Sequence, residues 1–232
     1  MWGVDMRANW TRDEVILGID VMFSYGSRHL SMDSEAIIEL SKLLNRLPII
    51  PIAERNDTFR NAAGVSSQLS RFLWSLKHNE KHANIGKLFS VVYEQFKLNE
   101  TELHKIALAI RRNESLIQQI EFGTEVGTEG FSEGSILCHL HSHLEWKLGI
   151  RFMKDALQCS SCGIRPEHIY GSLPNMQFFE PHLLVSPTEI SPDMTFIEKD
   201  FITVCPNCHR ILHQIRPWRN RKQCEEILQT LR

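Results

Sequence analysis

The chain of 232 residues is 42% hydrophobic and 23% charged, which is typical of a globular protein with one or two domains. No apolar run approaches the roughly 18 residues of a membrane-spanning helix, and the N-terminal sequence MWGVDMRANW lacks a secretory hydrophobic region. Composition therefore predicts a cytoplasmic protein without a membrane partner. The formal net charge of −2 gives no support for a polyanion partner, although a local basic patch can still bind phosphates.

Three helices are predicted in the N-terminal part of the chain. In NWTRDEVILGIDVMF, Thr11 and Glu14 form a capping-box pattern in front of apolar residues at helical spacing. The second helix is predicted to follow Ser34 and to stop at Pro48. A short turn around Gly64 is predicted to lead into the third helix, within FRNAAGVSSQLSRFLWSL.

These three helices allow two interpretations. They could dock on DNA as a helix-turn-helix unit does, with Arg60 and Arg71 as DNA-binding side chains. They could equally form a plain helical bundle, which the residue chemistry alone favours. Two further amphipathic helices, IGKLFSVVYEQF and ETELHKIALAIRR, follow without any catalytic grouping, and the glycine-rich segment 123–134 is predicted to be a linker.

The segment SILCHLHSHLEW after this linker holds His139, His141 and His143. On a strand the three side chains would lie on one side, whereas on a helix they would spread around most of the circumference. Without a carboxylate or cysteine partner at a suitable spacing, a metal site is not predicted in this segment. The edge of a strand or of a helix is the favoured interpretation.

Four of the six cysteines form two pairs with the spacing of zinc knuckles. The pairs are Cys159 with Cys162 and Cys205 with Cys208, and 42 residues separate them. A gap of two residues lets both thiolates of a pair bind one ion, and two pairs complete a tetrahedral shell, so a structural zinc ion is predicted. Disulfides are the alternative, but the expected cytoplasmic location argues against them.

The second knuckle continues into CHRILH, which carries His209 and His213. Residues four apart share one face of a helix, so both imidazoles can bind one ion, distinct from the ion held by the thiolates. Such a site needs a third protein ligand. The candidate is His182, which lies in the predicted strand MQFFEPHLLV.

These motifs carry a resemblance that covers most of the chain. From about residue 131 to residue 232 the sequence resembles the McrA-like HNH restriction endonucleases, whose nuclease domain is a ββα-metal fold, and residues 10–72 are similar to the leading helical domain of many such enzymes. The matching residues are Cys159, Cys162, Gly163, Tyr170, Gly171, the run Phe178 to His182, Thr195, Asp200, the run Cys205 to His213, Pro217 and Trp218.

The resemblance implies an endonuclease that hydrolyses the phosphodiester bonds of double-stranded DNA, modified DNA included. It implies a structural zinc ion on the four cysteines and a second divalent ion, Mg²⁺, Mn²⁺ or another, on the three histidines. It further implies that Asp200 helps to orient the loop and the base. Because one such site cuts one strand, a homodimer is expected to cut both strands.

The sequence departs from the family at one position. The family motif normally reads Glu-x-His-His, in which the first histidine binds the metal and the second is the general base, but here the motif reads Glu180-Pro-His182-Leu183. Leucine cannot accept a proton, and general-base assistance is worth about 10²–10⁴-fold in rate. His168, Glu180 or Glu189 are candidates for a displaced base.

Three hypotheses follow from this departure. The first is an active endonuclease in which the metal lowers the pKa of its bound water without the usual base. The second is a catalytically impaired HNH-derived module that binds DNA or regulates a partner. The third is an inactivating substitution of natural or laboratory origin.

The predicted architecture is α+β, with an N-terminal helical domain over residues 1–78, a helical connector over 79–125 and a zinc-containing ββα-metal domain over 126–232. The C-terminal segment is locally basic, and its candidate DNA-binding residues are Arg210, Arg216 and Arg219. A solvated helix end explains the same charges equally well.

Overall fold

The computed structural model describes residues 9–78, 87–120, 136–153, 156–171, 177–214 and 221–230. Within these ranges the protein is mostly helical, with one small sheet of two strands. The elements in chain order are α1 (Arg12–Ser24), α2 (Glu35–Arg46), α3 (Ala62–His78), α4 (Lys87–Phe96), α5 (Glu100–Arg112), α6 (Glu114–Ile117), α7 (Ile136–Gly149), α8 (Glu167–Tyr170), β1 (Glu180–Leu183), β2 (Phe201–Val204), α9 (Pro206–Gln214) and α10 (Arg221–Thr230).

The chain divides into two compact units, residues 1–136 and 137–232. The sequence predicted a separate connector over 79–125, but α4 and α5 both pack against α1 within the first unit. The physical reason is that the apolar faces of α4 and α5, including Phe89 and Leu103, are buried in the core of that unit. The predicted linker 123–134 lies outside the described residues.

Helix α1 is the centre of the first unit and packs against α2, α3, α4 and α5. Val15, Leu17 and Ile19 are fully buried, as expected for a helix covered on all sides. Gly18 permits close packing here, because a Cβ atom at this position would lie only 3.0 Å from Leu69 Cδ2. A helical bundle is therefore the architecture of this unit.

The predicted start of α1 is confirmed. Thr11 and Glu14 form a reciprocal capping box, in which the Thr11 backbone N–H donates to Glu14 Oε2 at 2.7 Å. The turn predicted at Gly64 is wrong, because Gly64 lies inside α3. The Asn61 side chain accepts a hydrogen bond from the Gly64 N–H at 2.7 Å, and this cap starts the helix before the glycine.

Arg60 is not available as a DNA-binding residue. Its Nε donates to Glu14 Oε1 at 2.6 Å, and the two side chains are only 8% and 1% exposed. A second guanidinium nitrogen donates to the backbone carbonyl of Asn9 at 2.8 Å. Arg60 thus neutralises a buried carboxylate within the first unit, whereas Arg71 is exposed on α3 and remains a candidate for DNA binding.

We expect Arg60→Ala to lower the free energy of unfolding of the first unit by about 3–5 kcal/mol, because it leaves the Glu14 charge buried without its partner. Arg71→Ala is the matched control and should change stability by less than about 0.5 kcal/mol, as exposed substitutions usually do. Urea denaturation followed by circular dichroism measures both. Equal stability of the two variants would contradict a structural role for Arg60.

The second unit is built around the antiparallel pair of β1 and β2, with His182 opposite Ile202 and Leu183 opposite Phe201. Helix α9 begins directly after β2 and contacts β1. Helix α7 ends at Gly149, where a Cβ atom would lie 2.4 Å from the side chain of Pro181. Glycine at this position therefore lets the end of α7 lie directly against β1.

None of the described helices is long and apolar enough to cross a membrane.

Candidate functional site

The second unit contains a cluster of four cysteine side chains, in which the four sulfur atoms lie within 4.8 Å of one another. Its members are Cys159, Cys162, Cys205 and Cys208. The Sγ atoms of Cys162 and Cys205 are 3.8 Å apart. A tetrahedral shell with Zn–S bonds of about 2.3 Å gives sulfur–sulfur separations of about 3.8 Å, so this cluster could hold a zinc ion.

The backbone explains why the four sulfurs converge. In the first knuckle the Gly163 N–H donates to the Cys159 carbonyl at 3.0 Å, a tight turn that Gly163 allows with a φ of +71°. The Ser160 N–H donates to the carbonyl of Thr203 at 3.0 Å, which ties this knuckle to β2. The second knuckle runs from the end of β2 into α9, so the sheet aligns the two pairs.

The thiols themselves favour a cation. Burial alone would raise the pKa of Cys159, but backbone N–H groups, that of Cys205 foremost, lower it to about 7, whereas burial raises the pKa of Cys205 to about 12. Close thiols that cannot all ionise together are typical of a metal site, because a divalent cation removes the repulsion. None of the six cysteines, all within the described part of the chain, forms a disulfide.

A second cluster joins three histidines and one glutamate from three different elements. Glu145 comes from α7, His182 from β1, and His209 and His213 from α9, and their ligand atoms lie within 4.8 Å of one another. Glu145 is completely buried, and His182 and His209 are less than 10% exposed. The three histidines selected from the sequence are therefore brought together, with a carboxylate that was not selected.

The separations within this second cluster are close to those of a metal shell, though most are shorter. Glu145 Oε2 lies 2.9 Å from His213 Nε2 and 3.4 Å from His209 Nε2, and Glu145 Oε1 lies 2.8 Å from His182 Nδ1. The two Nε2 atoms of α9 are 2.9 Å apart. Metal–ligand bonds of 2.0–2.1 Å imply tetrahedral edges of about 3.3–3.4 Å, so the closest of these atoms would move apart by about 0.5 Å to hold one ion.

Glu180 orients one of these histidines. Its Oε2 lies 2.7 Å from His209 Nδ1, so the neutral imidazole donates the Nδ1 proton outward and directs its Nε2 lone pair into the cluster. Burial lowers the pKa of His209, but hydrogen bonds and charge from Glu145 and Glu180 outweigh burial and raise it. Glu180, predicted as a catalytic residue, is thus the outer partner of a potential metal ligand.

The histidine-rich segment was expected to have no carboxylate partner, and this expectation is wrong, because Glu145 lies within the segment and joins the cluster. The segment is a helix, and Glu145 follows His141 by four residues, which places both on one face. The spacing His-x-x-x-Glu was the available signal. The strand alternative placed all three histidines on one side and did not single out this pair.

His141 and Glu145 both contact the backbone of Leu183. The Leu183 N–H donates to Glu145 Oε1 at 2.9 Å, and His141 Nε2 donates to the Leu183 carbonyl at 3.0 Å. These bonds use the edge of β1 that does not pair with β2. They fix α7 to the strand that carries His182, and they therefore fix the position of the Glu145 carboxylate.

The cluster holds a buried negative charge. Burial opposes the ionisation of Glu145, but the imidazoles of His141 and His182 hold the pKa of its carboxyl well below its usual value. Burial lowers the pKa of His141 to about 4 and also lowers that of His182. A buried carboxylate among imidazole nitrogens is a donor set for a divalent cation.

The remaining candidates occupy other positions. Asp200 Oδ2 accepts a hydrogen bond from the Ile197 N–H at 2.9 Å, and its carbonyl accepts one from Leu184, so Asp200 holds the loop before β2. His168 and Glu189, the candidates for a displaced base, are both exposed. Arg210 is exposed on α9, while Arg216 and Arg219 lie outside the described residues.

Comparison of the chain with protein-family models, with curated proteins and with solved structures gives no significant match.

Proposed function

We propose that the second unit is an HNH-type DNA endonuclease module that hydrolyses phosphodiester bonds with a divalent metal ion, in a restriction or defence role. The observation that carries the proposal is the convergence of His182 from a strand with His209 and His213 from the following helix, next to a separate cluster of four cysteines. Two antiparallel strands followed by a helix that supplies two ligands is the arrangement expected of a ββα-metal nuclease.

The side chains around this point suit phosphodiester hydrolysis. A divalent ion bound by the three imidazoles would act as a Lewis acid on the scissile phosphate and would lower the pKa of bound water. Glu180 holds His209 in the tautomer that directs its lone pair inward. Burial of His182 excludes bulk water from one side of the site, which strengthens electrostatic interactions there.

Double-stranded DNA, modified DNA included, is the proposed substrate. Arg210 follows His209 directly and is exposed, so it can contact a phosphate of DNA bound near the imidazoles. The ion is proposed to be Mg²⁺, Mn²⁺ or another divalent cation. A homodimer would cut both strands, because one site cuts one.

A second candidate function is a catalytically impaired HNH-derived module that binds DNA or regulates a partner. The environment of Leu183 favours it. The side chain at this position cannot accept a proton, and it is only 1% exposed. Its backbone N–H and carbonyl are already bonded to Glu145 and His141, so the strand is held in place at the position where the family has its base.

The test is cleavage of supercoiled plasmid, methylated and unmethylated, by the purified full chain with Mg²⁺, Mn²⁺ or Ni²⁺. We expect nicked and linear products from the unmodified protein and none above background from His213→Ala, which removes a ligand of the proposed ion. His143→Ala is the matched control, because His143 is a half-buried histidine of α7 outside the cluster.

The same samples separate the two candidate functions. An electrophoretic mobility shift with the plasmid fragments measures binding independently of cleavage. Retarded DNA without cleavage under any metal condition would favour the impaired module over the endonuclease. Neither binding nor cleavage would contradict both.

A further inference from the structure

Glu145 occupies the centre of the histidine cluster. Its side chain is fully buried, and its two oxygens contact His182, His209 and His213 at 2.8 to 3.4 Å. A buried carboxylate requires compensation by hydrogen bonds or positive charge, because the ionised form loses its hydration. The Leu183 N–H donates to Oε1 at 2.9 Å, and His213 Nε2 lies within hydrogen-bond distance of Oε2 at 2.9 Å.

Two buried imidazole nitrogens beside Glu145 have no hydrogen-bond partner among the described residues. His141 donates its Nε2 proton to the Leu183 carbonyl, so its Nδ1 carries a lone pair, and that atom has no hydrogen-bond partner among the described residues. Buried His182 Nδ1 also lacks a hydrogen bond, although it lies 2.8 Å from Glu145 Oε1. His209 directs a lone pair toward His213 Nε2 at 2.9 Å. The lone pairs of these imidazole nitrogens and the negative charge of the Glu145 carboxylate therefore lie close together.

We propose that Glu145 is the fourth protein ligand of the metal site and completes a closed shell of three imidazole nitrogens and one carboxylate oxygen. The position of the ion rests on the proposed function, and the donor set adds the chemical class of the ion. A shell of this composition selects zinc or a similar first-row transition ion over Mg²⁺. It also joins α7, an element outside the strands and helix of the ββα unit, to the metal.

The donor set determines this preference. Imidazole nitrogen suits Zn²⁺, Ni²⁺ and Cu²⁺, whereas Mg²⁺ prefers octahedral oxygen ligands and keeps several waters. The cluster offers three nitrogens against one carboxylate, and Glu145, His182 and His209 are buried. Four protein ligands around one ion are typical of a structural zinc site.

His141 has a positioning role in this shell. Its bond to the Leu183 carbonyl and the bond from the Leu183 N–H to Glu145 link one strand residue to two residues of one helical face. This linkage sets the distance between α7 and β1, and with it the distance between Glu145 and His182. Hydrolysis at a closed shell would need a fifth coordination position, which zinc can accept in transition states.

The experiment uses the full chain with zinc retained in the cysteine cluster and the histidine site cleared by a mild chelator. Isothermal titration then measures binding of Zn²⁺, Co²⁺ and Mg²⁺ by the unmodified protein, by Glu145→Gln and by Glu180→Gln. Glu180→Gln is the matched control, because it makes the same chemical change at a carboxylate that contacts His209 from outside the shell. Circular dichroism checks that each variant is folded.

We expect the unmodified protein to bind one additional zinc ion per chain. Mg²⁺ should show no saturable binding over the concentration range in which zinc fills the site. Loss of an outer partner costs about 10–100-fold in metal affinity, so Glu180→Gln should remain within that range. Glu145→Gln should lose more than about 100-fold, because a ligand itself is removed. Bound Co²⁺ should give the intense visible bands of four-coordinate cobalt.

Several results would overturn the inference. Glu145→Gln and Glu180→Gln binding zinc equally well would exclude Glu145 as a ligand. The weak bands of six-coordinate Co²⁺ in the unmodified protein would exclude a closed shell even if Glu145→Gln does not fold. Zinc binding without plasmid cleavage would support Glu145 as a ligand and contradict the proposed endonuclease function. Mg²⁺-dependent cleavage without zinc binding would support the endonuclease function and contradict Glu145 as a zinc ligand.

Discussion

Cys159→Ser is expected to release zinc from the cysteine cluster and to unfold the second unit. Structural zinc contributes about 10–16 kcal/mol in zinc-finger peptides, whereas the whole stability of a typical domain is about 5–15 kcal/mol. Three of the four cluster cysteines also belong to the hydrophobic core around Phe179 and Val204. Loss of the zinc ion therefore removes the crosslink between the two cysteine pairs, which lies at the core of the second unit.

The measurement combines zinc content by mass spectrometry with thermal unfolding by circular dichroism. Cys224→Ser is the matched control, since Cys224 is a buried cysteine outside the cluster. It should keep the zinc and lose no more than about 1–3 kcal/mol, as buried substitutions commonly do. His209→Ala should also leave the unit folded. If Cys159→Ser and His209→Ala lower the melting temperature equally, the division into a structural and a functional metal is wrong.

The second large effect is expected from Leu183→His. On the proposed function, this substitution restores the base of the Glu-x-His-His motif and should raise the rate of plasmid cleavage by about 10²–10⁴-fold. The Leu183 side chain is only 1% exposed, so a histidine at this position would be buried. Burial favours the neutral imidazole that a general base requires. The same burial should lower stability by about 1–3 kcal/mol, because an imidazole replaces an apolar side chain.

Initial rates of nicking with the unmodified protein, with Leu183→His and with Leu183→Ala measure this effect. Leu183→Ala is the control for loss of packing and should gain no activity. Equal rates for the histidine variant and the unmodified protein would mean that another group already acts as the base. Cleavage by Leu183→His alone would identify the natural chain as the impaired module and would contradict its activity as an enzyme.

The cysteine cluster and the histidine cluster differ in how far the sequence could predict them. Each cysteine pair and the pair His209 and His213 are local patterns, whose spacing determines their geometry on a knuckle or a helix face. The distant members were harder to predict. His182 was selected through its strand and the family resemblance, whereas Glu145 belongs to a segment whose periodicity fitted both strand and helix.

Arginine side chains illustrate the same limit. Arg60 and Arg71 were indistinguishable as candidate DNA contacts, because sequence gives the charge of a side chain but not its neighbours. Arg60 is buried against Glu14, which excludes it as a DNA contact. Arg71 is exposed on α3 and remains a candidate DNA contact. Likewise, Gly64 was predicted to form a turn from its own propensity, but the cap supplied by Asn61 keeps it within a helix.

The sequence by itself determined the helical character of the N-terminal part, the four cysteines that could hold zinc and the histidines that converge in the second unit. These features depend on spacing along one chain segment, which the period of a helix or the turn of a knuckle converts into geometry. Only the tertiary structure decided that Glu145 joins the histidines, that Arg60 is buried and that α4 and α5 pack around α1. Those outcomes depend on contacts between residues that are far apart in the chain. Such contacts are determined only when the whole chain folds, because the apolar faces of all its helices and strands compete for burial.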